Sequence, residues 1–574
     1  MSPGESAGAR SVVTEGRWFV LLTLAALFYV AVTLIFQGAW LIEGPMWAEM
    51  ASNYYPNAQS GEWLVRLFAT DAGYIPLPQR LIALVGAIAH LPAAWVPFYD
   101  SGASIGLGAL LVASFCHRAF RPLITNDRLR FLVCVVFALA PDFQTRVFIS
   151  FTYLGLALAI PLVALALARP DADAPGWAWV LPLLMLSKPV FLALVPAMLL
   201  AAFFARPRFR LLMIVCVLTG VAQVARLVLS GTAGPNSETF VDPEATIASR
   251  LVTAIIGGCG LMAQYVLGPS PGQLISSFSP LMLVAVGAVL TGIVLAVLGR
   301  YRRVSTSAPT SALVLVGVSV VFGASLLNSV ALSSSWNTGL YFLRDFSTDR
   351  SVFGGIAGAV FVMAGLAWLL LGRVRSFGPL SPAVLALLWL IGSGWPIVAA
   401  RARLPPFPST GVSSWMAQAD RIDRPGTTVC VPADPYEFRR WFFMYGRGCA
   451  QLTLAPPPDA PGSVPSPGVT LDIPPAARDH PIVGLLVLVR TAAGLEGQDV
   501  HVLATGVTAS GADIVFEGHR RVGPAPGLIV LMPTTVTPRA LTGVRLETRP
   551  PSEIVQGTDG QPGVAYLGGA ELQQ

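Results

Sequence analysis

The sequence predicts a polytopic α-helical membrane protein of about eleven transmembrane helices, followed by a C-terminal β-rich, sandwich-like domain. Three observations carry that expectation. Hydrophobic residues make up 54% of the 574 residues and charged residues only 12%, about half the charged share of a soluble domain. Mean hydropathy is +0.66, and apolar blocks recur as far as residue 400. Beyond that point the composition turns to Pro, Gly, Asp and Thr. Disorder, coiled coil, collagen and an ordinary cytosolic enzyme are excluded. The net charge of +6 comes from basic residues scattered among the apolar blocks rather than gathered in a stripe, so nucleic acid is not an expected partner.

A helix crossing a hydrocarbon core needs about 20 apolar residues. Apolar blocks fall at 18–40, 79–97, 102–117, 130–145, 147–168, 176–187, 189–205, 210–229, 251–267, 274–298, 309–333, 351–372 and 379–399. The first is too long, and too weakly followed by a small-residue cleavage site, for a removed signal peptide, and reads as a retained span. Basic clusters at Arg10/Arg17, Arg118–Arg130, Arg206/Arg208/Arg210, Arg300/Arg302/Arg303 and Arg373/Arg375 should face the cytoplasm. All of them do so if 79–97 lies at the outer surface and 251–267, interrupted by Gly257-Gly258-Cys259-Gly260, is an external re-entrant or surface helix. The N-terminal tail 1–16 is then inside, the membrane domain is 17–400, and the loop 41–100 with its surface helices is outside.

Everything after residue 400 is also expected outside. Residues 401–467 read as a Pro-rich linker or subdomain, and 468–574 as the sandwich-like domain. Alternating runs at Val469–Ile473, Ile482–Val489, Val500–Leu503, Asp513–Phe516, Leu528–Leu531 and Val544–Thr548 are separated by turn residues. Cys116, Cys134, Cys216 and Cys259 sit in or beside apolar blocks and behave as small hydrophobes. Cys430 and Cys449 lie in the external tail, where an oxidising compartment favours a disulfide between them.

Residues that break the charge bias point to function. Arg146, Lys188, Arg226, Arg344 and Arg350 map to external ends of spans, and Lys188 is the sole lysine of the chain. Ionisable groups at membrane depth usually face a cavity or a partner. Together these cations suit an anion such as phosphate; singly, each could snorkel to headgroups or pair with Asp142, Asp345 or Asp349. The first external loop supplies carboxylates. Glu43 directly follows the first span, then come Glu49, Glu62 and the stretch Asp71-Ala-Gly-Tyr74-Ile-Pro-Leu-Pro-Gln79-Arg80. A carboxylate at the mouth of a helix can act as a general base, or simply end the span.

Read in order, these elements resemble the GT-C superfamily of polytopic glycosyltransferases, which includes the bacterial lipid A aminoarabinose transferases and protein O-mannosyltransferases. The resemblance rests on Glu43-Gly-Pro-Met-Trp-Ala-Glu49 after the first span, Ser60-Gly-Glu62-Trp63, and Tyr74-Ile-Pro-Leu-Pro-Gln-Arg80. It also rests on Leu186-Ser-Lys188-Pro, similar to that family's Leu-Thr-Lys-Gly-Pro turn, and on Thr348-Asp-Arg350. It covers residues 17–210 best. The chain departs from the pattern at Gly44, where a second acid would stand, and by having Asp71 and Tyr74 where a His precedes the Pro-rich stretch.

The resemblance implies a transferase of the bacterial inner membrane with a periplasmic C-terminal domain. Its donor would be a polyprenyl-phosphate sugar and its acceptor a glycan, lipid or protein. Glu43 would deprotonate the acceptor, which attacks and inverts the anomeric carbon. Lys188, Arg344 and Arg350, with Arg146 and Arg226, would hold the departing lipid phosphate, while Glu49, Asp71, Tyr74, Gln79 and Arg80 would line the substrate loop. The sequence requires no cofactor, leaves a divalent cation open without supporting one, and assigns no metal ligands.

Other chemistries find no motif. Walker A, dinucleotide-binding, His-Glu-x-x-His and Cys-x-x-Cys patterns are absent, and the 5 His are dispersed. Gly354-Gly-Ile-Ala-Gly358 reads as a tight helix-packing face. The competing functions are a lipid-linked glycan transporter or flippase, and a non-catalytic scaffold for envelope polysaccharide assembly.

Overall fold

The structure is a computed structural model. It describes residues 3–71, 73–140, 147–231, 246–301, 308–330, 352–372, 374, 376–395, 398, 415–425, 429–433, 443–447, 449–450, 463–464, 469–472, 482–491, 499–508, 513–521, 527–533, 540–555 and 564–569. Its helices in chain order begin with α1 Pro3–Ile42, α2 Tyr55–Gln59, α3 Trp63–Leu67, α4 Leu77–Ile88, α5 Val96–Ala113 and α6 Asp127–Leu139. Next come α7 Val147–Leu154, α8 Leu156–Ala168, α9 Val180–Met185, α10 Val195–Phe204, α11 Pro207–Gly231 and α12 Ile247–Leu267. The helical part closes with α13 Pro269–Phe278, α14 Pro280–Tyr301, α15 Ala308–Val330, α16 Phe353–Leu371, α17 Ser381–Trp389 and the short α18 Ala419–Asp423.

Among the described residues, 8 helices are long and apolar enough to cross a membrane, or 9 if a bent pair counts as one span. This is fewer than the expected eleven, for identifiable reasons. Blocks 176–187 and 189–205 are two limbs of a single pair bent by 116°. Block 130–145 yields the 13-residue α6, with residues 141–146 outside the description. Block 379–399 yields only the short apolar helix Gly378–Gly392. The 12-residue α4 is too short to span, as the charge distribution expects of 79–97.

Residues 251–267 correct the sequence reading. They belong to α12, a 21-residue helix that meets the same spanning test and packs in the bundle with α14, α15 and α16. Its Gly257, Gly258, Cys259 and Gly260 are buried. A Cβ at Gly258 would run into the Phe322 ring, and one at Gly287 of α14 into the Cys259 carbonyl. The glycine run is therefore a contact surface, where missing side chains let helices approach, and not an interruption. The same device joins α15 to α16: a Cβ at Gly317 would lie 2.7 Å from the Gly358 carbonyl oxygen.

Two compact units emerge. The first comprises residues 1–36, 67–81 and 102–404. One end of it is organised by Arg130, fully buried on α6. Its guanidinium donates to the Phe115, Cys116 and His117 carbonyls at 3.3, 3.0 and 2.8 Å, satisfying acceptors that a helix C-terminus leaves unpaired. Asp127 holds that guanidinium and also accepts from Arg121 at 3.1 Å. Asn126 caps α6 through Arg128 and Leu129 N–H groups. Partial burial pushes the Asp127 carboxyl up, but hydrogen bonding from Arg121 and the Arg130 charge outweigh it and leave the group below the usual carboxylate range.

The second unit comprises residues 37–66, 82–101 and 405–574, so it holds most of the two pieces that the charge pattern places outside, while 67–81 of the first external loop falls in the first unit. Trp415 Nε1 donates to the Ala93 carbonyl at 2.8 Å, and the Ala93 N–H reaches the Asp423 carboxylate at 3.0 Å. Tyr55, Trp415 and Tyr445 meet edge-to-face with centroids 5.3–5.4 Å apart. β1 Val429–Ala433 pairs with β2 Phe443–Arg447. The remaining strands are β3 Cys449–Ala450, β4 Ser463–Val464, β5 Val469–Asp472, β6 Ile482–Thr491, β7 Asp499–Thr508 and β8 Asp513–Arg521, then β9 Gly527–Pro533, β10 Leu541–Arg549, β11 Ser552–Val555 and β12 Val564–Gly569. They hydrogen-bond in the order β3-β12-β6-β9-β8-β7-β10-β5, with β11 and β4 off the path. Alternate residues from β6, β9 and β11 and from β7, β8 and β10 share one buried cluster, including Leu485, Val502, Phe516, Leu531 and Leu546. That is the expected β-rich C-terminal region, with period-2 burial fixing its register.

Two outcomes follow. Gly358→Leu should force α15 from α16 and lower stability by about 1–3 kcal/mol, the usual range for an overpacked contact, read as a lower melting temperature in detergent. Asp127→Asn should also lower the melting temperature at neutral pH. Because the native Asp127 carboxyl is depressed, its contribution is present above the unfolded value of about 4 and fades as pH falls through the lower native value. The wild-type advantage over the Asn variant should shrink in melts below about pH 4.

Candidate functional site

The bent pair is where the first unit builds a polar centre. The limbs Gly176–Met185 and Pro189–Phe204 are joined by Leu186-Ser187-Lys188. Leu186 leaves helical geometry (φ −87°, ψ 53°) and Lys188 is extended (φ −125°, ψ 142°). The second follows from Pro189, whose ring disfavours the α region for the residue before it while fitting the first turn of the next helical segment. The sequence Lys-Pro thus dictates a break, and the break leaves backbone groups to be satisfied from elsewhere.

The satisfying segment is residues 73–77. Leu77 N–H donates to the Leu186 carbonyl at 2.9 Å. Gln223, buried on α11, grips Ile75 on both sides, its Oε1 accepting from the Ile75 N–H at 2.8 Å and its Nε2 donating to the Ile75 carbonyl at 3.0 Å. Asp71 and Tyr74 close a tight turn through backbone bonds of 2.7 and 3.0 Å, with Gly73 at φ +86°. These clamps hold Tyr74 against the break.

Lys188 is 3% exposed. Its ammonium donates to the Tyr74 hydroxyl and lies 4.3 Å from the Tyr74 ring centroid, adding a cation–π attraction. The Tyr74 hydroxyl in turn donates to Asp71 Oδ2 at 3.2 Å. The chain ammonium–phenol–carboxylate runs from a buried break to a half-buried loop residue. Such an arrangement gives a lysine inside an apolar bundle polar partners.

The sequence reading singled out Lys188, Tyr74 and Asp71 separately, and the structure brings them together. Gln79 and Arg80 follow on the first turn of α4 in the same unit, both buried. Gln79 is fully buried, and neither its Oε1 nor its Nε2 has a hydrogen-bond partner among the described residues. Arg226 is exposed on α11, three residues beyond Gln223. Arg146, Arg344 and Arg350 lie outside the described residues. Gln223 was not foreseen; its signal was a lone amide within an otherwise apolar block.

Glu43 and Glu49 belong to the second unit. Glu43 is exposed at the end of α1. Gly44 follows at φ +62°, its N–H donating to the Leu41 carbonyl at 3.2 Å, the usual way a glycine ends a helix. A Cβ at Gly44 would meet Met416 and Phe98 at 3.0 Å, so backbone and packing together favour glycine there. Ala48, at φ +43°, is a strained non-glycine residue, and the half-buried Glu49 precedes a π-helical turn, Met50–Tyr54. Cys430 lies on β1 and Cys449 on β3, with their side chains outside the described residues; the described cysteines form no disulfide. No group of three or more His, Cys, Asp or Glu suited to a metal ion occurs among the described residues.

No family model, curated protein or solved structure matches the chain. The Gln223 clamp generates a direct expectation. Gln223→Leu strands the buried N–H and C=O of Ile75, each worth about 1–3 kcal/mol when left unsatisfied, so the melting temperature should fall by several degrees.

Proposed function

We propose that this protein is a membrane glycosyltransferase that moves a sugar from a polyprenyl-phosphate donor to an acceptor hydroxyl on a cell-envelope glycan, lipid or protein. The observation that carries the reading is the single lysine of the chain, buried at the break of an apolar helix pair and held by Tyr74 and Asp71. A buried ammonium is expensive unless it has work with an opposite charge, and a lipid-linked phosphate is an anion found at such depth. Lys188 therefore binds the phosphate that becomes the leaving group, where preorganised positive charge lowers the barrier to departure.

Glu43 is the base in this reading, as the resemblance to GT-C enzymes implies. An exposed carboxylate at a helix C-terminus opposes the helix dipole by about 0.3–1 kcal/mol, so stability does not explain its placement. The carboxylate takes the acceptor proton, the acceptor oxygen bonds to the anomeric carbon with inversion, and the carbon–oxygen bond to phosphate breaks with its electron pair leaving on the lipid phosphate. Arg146, Arg226, Arg344 and Arg350 remain proposed phosphate ligands, and the bacterial inner membrane with a periplasmic C-terminal domain the proposed setting. A Cys430–Cys449 bridge belongs to the same proposal. The chemistry requires no cofactor.

One observation favours a second reading. A broken helix pair is also how transporters build substrate sites, so a lipid-linked glycan flippase would use Lys188 to hold the same phosphate without cleaving the sugar. Reconstitution in proteoliposomes separates the two, because only the transferase consumes its donor. For the transferase, Glu43→Gln should abolish sugar transfer yet bind donor as wild type does, whereas Lys188→Met should weaken donor binding. Normal transfer by the Glu43→Gln variant would remove the assigned base.

A further inference from the structure

The polar centre around Lys188 is occupied by the protein itself. The Tyr74 hydroxyl sits on the ammonium, with the ring centroid 4.3 Å away, so a neutral phenol fills one of the directions from which a phosphate oxygen would approach. Tyr74 is 7% exposed and Lys188 3%. A site with so little accessible surface cannot admit a phosphate as it stands.

A second observation points the same way. Gln79 stands two residues after Leu77, and Leu77 is bonded to Leu186, two residues before Lys188. Its amide is fully buried with neither polar atom hydrogen-bonded among the described residues. A buried unbonded amide costs about 1–3 kcal/mol and calls for an explanation such as a missing ligand.

We propose that Tyr74 is a plug: in the described conformation it caps Lys188, and an incoming phosphate displaces its hydroxyl from the ammonium. This rests on the reading of Lys188 as a phosphate site and adds the regulation of that site. The backbone on either side of Tyr74 is fixed, by the Asp71 turn before it and the Gln223 clamp on Ile75 after it. The exchange is therefore a side-chain rotation rather than a loop movement. Asp71 Oδ2, 3.2 Å from the hydroxyl, holds the phenol in its capping position and steers its oxygen lone pairs toward the ammonium. The displaced bond is between a cation and a neutral oxygen, and a phosphate oxyanion replaces it with a stronger charge-assisted one, so the exchange is favourable once the ring has moved.

The test is binding of dodecyl phosphate, with inorganic phosphate as a second arm and dodecanol as the uncharged control, to detergent-purified full-length protein by calorimetry. Tyr74→Ala should bind dodecyl phosphate about tenfold more tightly than wild type, a gain of about 1.4 kcal/mol. Tyr74→Phe, which keeps the ring and loses only the hydroxyl, should fall between them and decides the matter if the Ala variant does not fold. A preference for dodecyl phosphate over inorganic phosphate assigns the source to a lipid phosphate. If both Tyr74 variants bind no better than wild type while Lys188→Met abolishes binding, the plug is overturned and the phosphate site stands. If Lys188→Met binds as well as wild type, the site reading falls and the plug with it.

Discussion

An ammonium buried in an apolar bundle has to be solvated by the protein, and the region around Lys188 is organised by that requirement. The Lys-Pro dipeptide breaks the helix pair, the break exposes backbone groups, and residues 73–77 are brought in to satisfy them. Tyr74 and Asp71 then supply the hydroxyl and carboxylate that the ammonium needs. Gln223 matters for the same reason: without its grip on Ile75 the segment carrying Tyr74 loses its anchor on α11.

The surrounding bundle makes this possible by being rigid elsewhere. Glycines at 287, 317 and 358 let helix backbones approach one another, and Gly258 makes room for the Phe322 ring. Arg130 does comparable work at carbonyls left unpaired beyond α5. There the buried cation is placed by hydrogen bonds to backbone carbonyls and paired with the adjacent Asp127 carboxylate. At Lys188 the Tyr74 hydroxyl bonds both the ammonium and the Asp71 carboxylate.

Much of the fold was legible because hydropathy reports burial in lipid directly. The apolar blocks and the alternating C-terminal strands came from that signal, and the non-spanning α4 from the distribution of basic residues. Bends escaped it. Blocks 176–187 and 189–205 are apolar enough for two spans, and only geometry shows them to be limbs of one pair. Gly257–Gly260 was misjudged because glycine both breaks isolated helices and permits close packing, and the sequence alone does not distinguish a solvent-facing run from a packed one. At the site, Lys188, Tyr74 and Asp71 stood out by charge and by the Pro-rich stretch, but their contact depends on the Leu77–Leu186 bond between distant segments. Gly44 looked like a gap in an acidic motif; its positive φ and its packing against Met416 and Phe98 give it a structural reason.

The central claim is that Lys188 serves a sugar-bearing lipid phosphate whose bond to the sugar is broken. Its most direct measurement is mass spectrometry of a panel of polyprenyl-phosphate sugars incubated with the purified wild-type protein and envelope acceptors. The account predicts that at least one donor is consumed, with free polyprenyl phosphate appearing as the sugar moves to acceptor. Intact donors throughout, from protein shown to be folded and to bind them, would contradict it.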